Sequence, residues 1–285
     1  FLISLGAFAA SVAIYFYLIG NPDFLIIKNN AYKSSATGFF INRTVFSCFL
    51  VLCFYCGIEY LKLIDNYLRD NTHNFFKKIY VRIFILLITI GIITTFSKLG
   101  NFLLVSVIII NIAQILYLND KKNKLFLYTL ILIVLFDIFI IGFYFGSEKL
   151  LERYSFLKQE IIEYLPSTTE INFSRGDISK FALSELKNFL YFGYGGGGFE
   201  YLFKINYENS SSVYATHAHS DIIEFIGEFG IIGSFFILLS IFFLFIKNNI
   251  FCFKNFLLFY LLLFMLIFDF SFHIPIIQFI LIILM

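Results

Sequence analysis

The chain has 285 residues, 60% of them hydrophobic and 14% charged, with a mean hydropathy of +0.86 and a formal net charge of +2. Soluble domains run roughly 45–50% apolar and about 25% charged, so this composition excludes an ordinary aqueous fold and calls for a lipid bilayer. The small net charge gives no basis for nucleic acid as a partner.

A bilayer core of about 30 Å takes about 20 apolar residues as helix. Backbone groups find no water there, so apolar runs of that length must form helices. In chain order the runs are 2–19, 44–63, 79–96, 102–118, 125–145, 220–246 and 256–272. A shorter run, Ile274 to Met285, reads as an eighth helix. The predicted fold is an all-α integral membrane protein, a polytopic helical bundle with at least seven transmembrane helices. Trp is absent, so the interfacial aromatic belt falls to the 18 Tyr. Cys53 and Cys56 form a C-x-x-C inside an apolar run without a second ligand pair, and with Cys48 and Cys252 they read as ordinary thiols.

Cations in the short loops set the orientation. Residues 62–82 carry Lys62, Arg69, Lys77, Lys78 and Arg82; "NDKKNK" carries Lys121, Lys122 and Lys124; "KNNIFCFKN" carries Lys247 and Lys254. The opposite short loop, "SKLGN", carries only Lys98. The positive-inside rule places the first set in the cytoplasm, which puts 20–43 and the long polar segment 146–219 on the periplasmic face. The expected organisation is N-terminal transmembrane helices over 1–145, a large periplasmic loop over 146–219 and C-terminal transmembrane helices over 220–285. Within that loop, "GDISKFALSELKNFL" has Ile178, Phe181, Ala182, Leu186, Phe189 and Leu190 at helical spacing, predicting an amphipathic helix on the membrane surface. The glycine run in "FGYGGGGFE" lacks the strand and Lys-Ser/Thr of a nucleotide loop and predicts a turn or a close approach.

Ionisable groups collect where that loop enters the next apolar run, "THAHSDIIEFIGEFGIIG" at 216–233. If 217–228 is helical, His217, Asp221, Glu224 and Glu228 share one stripe. Such groups in a spanning segment normally face a bundle interior or a wet cavity. His219 is the expected general base, since imidazole exchanges protons near neutral pH. No further ligand stands at useful spacing from His-x-His, so no metal and no cofactor are expected. Arg43, Lys98 and Arg175 lie on the same face, beside helix ends, and suit an anionic substrate; Arg offers phosphate a planar fork, Lys a point charge.

These residues resemble the O-antigen ligase and O-antigen polymerase superfamily. From His219, "HSDIIEFIGEFGIIG" is His, Ser, nine residues, Gly, two residues, Gly. "GFFINRTVFSCFL" is similar to the family's Gly-x-Phe-x-Asn-Arg-Asn segment, "TTFSKLGNFLL" to its Ser-Arg segment, and "SRGDISKFALSELKNFLYFGYGGGGF" to its Arg, amphipathic stretch and Gly-rich turn. "FDFSFHIP" resembles a C-terminal segment, so the likeness spans residues 36–275. Thr44 replaces an Asn and Lys98 an Arg; Lys98 keeps the charge without the fork. Family members have more helices, and Phe1 is not an initiator methionine, so helices upstream are expected.

The resemblance implies a metal-independent glycosyltransferase in the bacterial inner membrane. Its donor would be a glycan on undecaprenyl pyrophosphate, its acceptor a hydroxyl of lipid A–core for a ligase or of another repeat unit for a polymerase. His219 would deprotonate the acceptor; Arg175, with Lys98 and Arg43, would bind the pyrophosphate; His217, Asp221, Glu224 and Glu228 would support. A transporter of the same lipid-linked glycan is the alternative from another class. Against it, carriers bind substrate near the midplane, whereas these groups gather at one face.

Overall fold

The computed structural model describes residues 1–22, 35–67, 72–117, 175–207, 215–247 and 252–284, together with Tyr128, 131–133 and 135. Most of the expected run 125–145, and residues 146–174 and 208–214 of the expected loop, lie outside the described residues. The described residues are helical, without strands. They divide into two compact units, Phe1–Ile171 and Asn172–Met285. Four helices among them are long and apolar enough to cross a membrane: Leu2–Ile19, Arg43–Ile64, Lys98–Tyr117 and Asp221–Leu244.

The first unit contains α1 (Leu2–Ile19), α2 (Arg43–Tyr67), α3 (Thr72–Thr94) and α4 (Lys98–Tyr117). Helix α2 is its centre, with 83% of its apolar window buried against 39% for α1 and for α4. Lipid tails are as apolar as Leu, so helices in a bilayer associate by close packing at small residues and by polar contacts within the bundle. Gly91 of α3 accordingly sits where an added Cβ would lie 2.7 Å from the Ala10 Cβ of α1, and Gly100 of α4 lies directly on Ser47 of α2. The buried hydroxyls turn back on their own helices: Ser47 donates to the Thr44 carbonyl at 2.7 Å and Thr94 to the Gly91 carbonyl at 2.9 Å. Helix α1 ends at Gly20, left-handed at φ 91, whose N–H and that of Asn21 close on the last carbonyls. Cys48 and Cys53 are buried thiols of α2 and Cys56 is half-buried, and none of them is in a disulfide.

Both cations expected in this unit occupy the first position of a helix. Asn42 caps α2, its Oδ1 accepting from the Thr44 N–H at 2.7 Å, and Arg43 follows it. Ser97 caps α4, its Oγ accepting from the Gly100 N–H at 3.2 Å, and Lys98 follows. Since Gly100 and Ser47 touch, Arg43 and Lys98 stand at the same end of the unit.

The second unit contains α5 (Arg175–Glu185), α6 (Phe199–Asn206), α7 (Asp221–Lys247), α8 (Phe253–Phe268), a 3-10 turn (Ser271–His273) and α9 (Pro275–Leu284). Three expectations change here. Helix α5 stops at Glu185, and its apolar face is covered by protein instead of lying open to lipid: Ile178 and Ala182 pack with Phe199, Phe203, Ala215 and Ala218. The Phe203 and Tyr207 rings stack at 4.5 Å, with Phe181 set edge-on to both. Helix α8 ends at Phe268, not 272, because Asp269 is extended at φ −151 and the 3-10 turn follows.

The third change is a break inside α7. Gly230 has φ 66 and ψ 178, a region open only to glycine, so the helix is two segments. A break in the lipid-spanning region leaves backbone groups unpaired unless protein satisfies them. The glycine run does this. Tyr194 and Gly195 donate their N–H groups to the Gly227 and Glu228 carbonyls at 2.8 and 3.0 Å, and Ile231 donates to the Leu190 carbonyl at 2.8 Å. Contact is so close that a Cβ on Gly193 would strike the Glu228 carbonyl, and one on Gly230 the Tyr191 carbonyl. The close approach that the glycines predict is therefore to a helix backbone.

Candidate active site

The site is built where α7 begins. Asp221 is its first residue, and Glu224 and Glu228 lie on its first turns, three and seven positions on. All three carboxylates are buried, with 0–4% of each residue exposed. Residues 217–220 are not helical, so the single stripe expected from His217 to Glu228 does not form as a stripe. The chain instead turns at His219, left-handed at φ 58, a conformation uncommon outside glycine. The turn still delivers His217 to Glu224: Nδ1 lies 2.9 Å from Oε1, while Oε2 accepts the Ala218 N–H at 2.8 Å. Strain at a non-glycine residue persists only where its surroundings enforce it, and such positions cluster at active sites.

Helix α5 fixes the same turn from another side. Ser179 Oγ donates to the carbonyl of Ala218, the residue between the two histidines, at 2.9 Å. Arg175 is the first described residue of α5, four positions before Ser179. The structure thus ties the helix that carries Arg175 to the histidine turn.

A further histidine completes the cluster, and the sequence reading missed it. His273, from the turn between α8 and α9, hydrogen-bonds Asp221 through Nδ1 and places Nε2 3.7 Å from Glu224 Oε1 and 3.6 Å from Glu228 Oε2. Its ring stacks on Phe225 at 4.6 Å. Phe270, from the same segment, stacks under His217 at 4.5 Å and meets His219 edge-on at 5.4 Å. The signal was present in "FDFSFHIP", a polar interruption between apolar runs, but nothing local shows that it returns to the start of α7, 52 residues earlier.

Electrostatics identify what His273 is. Burial alone would lower its pKa; the bond to Asp221 and the carboxylates of Glu228 and Glu224 outweigh that and raise it to about 10. Glu224, Glu228 and His273 bring their ligand atoms within 4.8 Å of one another, a spacing that can hold a metal ion. With Nδ1 on Asp221 and Nε2 beside Glu224 and Glu228, a protonated ring would serve these carboxylates as counter-ion, and a neutral ring would offer a lone pair at the same place. Burial, followed by the charges of Glu224 and Glu228, pushes the Tyr194 hydroxyl well above its usual range, so it stays a neutral phenol beside the acids. Glu228 Oε1 accepts the Gly197 N–H at 2.6 Å, joining the glycine run to the cluster.

A family model described as O-antigen ligase matches residues 83–238, more than half of the chain. The chain belongs to the O-antigen ligase family. No curated protein and no solved structure matches it. The match covers α4, the helix that carries Arg175, the glycine run and the histidine turn, and it ends eight residues past the break at Gly230. Membership brings a role in lipopolysaccharide biosynthesis and a glycosyltransferase type of activity on lipid-linked glycans. It agrees with the apolar helices in making this O-antigen ligase family protein a multi-pass membrane protein.

Proposed function

We propose that the protein is an inner-membrane glycosyltransferase of the ligase kind, moving a glycan from undecaprenyl pyrophosphate to a sugar hydroxyl of lipid A–core on the periplasmic face. His219 takes the acceptor proton, and the hydroxyl oxygen attacks the anomeric carbon as the bond to the pyrophosphate breaks. Arg175, with Lys98 and Arg43, neutralises the departing pyrophosphate, where charge develops most strongly. His217, Asp221, Glu224 and Glu228 hold the turn that carries the base. The observation carrying this reading is the hydrogen bond from Ser179 to Ala218, which joins the Arg175 helix to a strained histidine turn in a family member. A second support is that Arg43 and Lys98 each open a helix behind a side-chain cap. The helix dipole disfavours a cation there, whereas an anion is welcome. The bundle of at least seven spans, with 146–219 facing the periplasm, belongs to the same proposal.

The test is His219→Asn, because Asn tolerates the left-handed backbone and removes only the imidazole. Polysaccharide attached to lipid A–core is expected to disappear at unchanged protein level, with polymer left on its lipid carrier. Normal attachment would overturn the role of His219. Single repeat units on the core would instead identify a polymerase. Purified protein should join donor to acceptor without any ion gradient; dependence on a gradient would favour a carrier.

A further inference from the structure

Three carboxylates stand within two turns at the mouth of α7, each buried. Like charges so close, removed from water, are unstable unless a cation joins them. The groups facing this space are Asp221, Glu224 and Glu228 of α7, His217 of the preceding turn, Tyr194 of the glycine run, and Asp269 beside the 3-10 turn, whose carboxylate is taken up by the Ser271 hydroxyl. Among the described residues, His273 is the group that reaches all three α7 carboxylates.

We propose that His273 is a positioning residue of the transfer reaction: its ring, bonded to Asp221 and set between Glu224 and Glu228, clamps the segment after α8 onto the start of α7 and thereby sets both histidines of the 217–219 turn. The inference rests on the reading of the site as a glycosyl-transfer centre. Two connections carry the effect. Through Asp221 and Glu224, His273 fixes the carboxylate that holds His217 Nδ1 and the Ala218 N–H. The Asp221 N–H also donates to the Asp269 carbonyl at 2.9 Å, and the Asp221 carboxylate accepts the Phe272 N–H at 2.7 Å, so the two segments are laced together. Through that lacing, Phe270 becomes the aromatic floor on which the His217 and His219 rings rest. His273 touches no substrate in this scheme; its charge and its position act through other residues.

The experiment compares His273→Gln with His273→Lys in purified protein, using undecaprenyl-pyrophosphate-linked glycan and lipid A–core. With Gln, kcat should fall about 10- to 100-fold, the range seen when orienting partners of a site are removed, with KM nearly unchanged. The acid limb of the pH–rate profile should also move to higher pH, because a positive charge beside the base is gone. With Lys, the limb should stay in place and part of kcat should return. Loss of fold alone lowers the rate without moving the limb. Histidine-labelled protein followed by NMR gives a readout that needs no turnover: the remaining imidazoles should titrate at higher pH with Gln and not with Lys. If wild-type protein transfers no glycan but these titrations shift, the glycosyl-transfer reading fails and the clamp stands. Wild-type rate and titrations with Gln, or an identical limb shift with Gln and Lys, would overturn the clamp.

Discussion

Helices α2 and α7 are both apolar and long enough to span a bilayer, yet they solve opposite problems. Helix α2 is unbroken, mostly buried, and held by close contacts such as that of Ser47 with Gly100. Helix α7 is broken at Gly230, and its window is only 22% buried against 83% for α2. The polar mouth of α7 depends on backbone and side chains supplied from other segments. A bilayer tolerates irregular backbone only where protein completes its hydrogen bonds. The first helix is therefore a packing device, and the second gives up regularity to hold acids and histidines.

Substitutions can break this contrast in order of size. Gly230→Val should have the largest effect, since it adds a forbidden backbone conformation to a clash with the Tyr191 carbonyl. Thermal unfolding in detergent should show the second unit's transition lost, and glycan transfer with it. Phe203→Ala removes a fully buried ring from the cluster under α5 and should cost about 3–5 kcal/mol, read as a lower melting temperature. Gly100→Val overpacks α4 against Ser47 in the first unit at about 1–3 kcal/mol. In the assay this variant should lose stability while the pH profile of the residual activity stays unmoved, which sharpens the difference between the two units.

The pH dependence of stability separates the units further. His273 has its pKa raised from an ordinary 6.5 to about 10. A raised histidine contributes stability that is fully present below the unfolded value and is lost as pH rises through the folded one. The melting temperature should accordingly decline between pH 6.5 and 10 in wild-type protein, and His273→Gln should flatten that decline. The smallest effect should come from Lys204→Ala, which removes an exposed one-turn pair with Glu200 and should change stability by less than about 0.5 kcal/mol.

Much of the fold was legible because a bilayer makes helix placement a question of run length. The run 2–19 is reproduced as α1, and 220–246 as α7 to within one residue at either end. Helix α3 starts at Thr72 instead of 79, because its charged first turns are helical without being apolar. The acids Asp221, Glu224 and Glu228 were legible as a group through their spacing. The local shape of 217–220 was not, since a left-handed residue outside glycine leaves no composition signal.

Sequence by itself determined that this is a helical membrane protein, that acids and histidines gather at residues 216–233, and which family it belongs to. Those properties follow from apolar run length and from local motifs. Only the tertiary structure decided that the glycine run mends a broken helix and that His273 joins the acids. Both depend on segments far apart in sequence meeting through backbone hydrogen bonds and buried charge, and no local pattern encodes such a meeting.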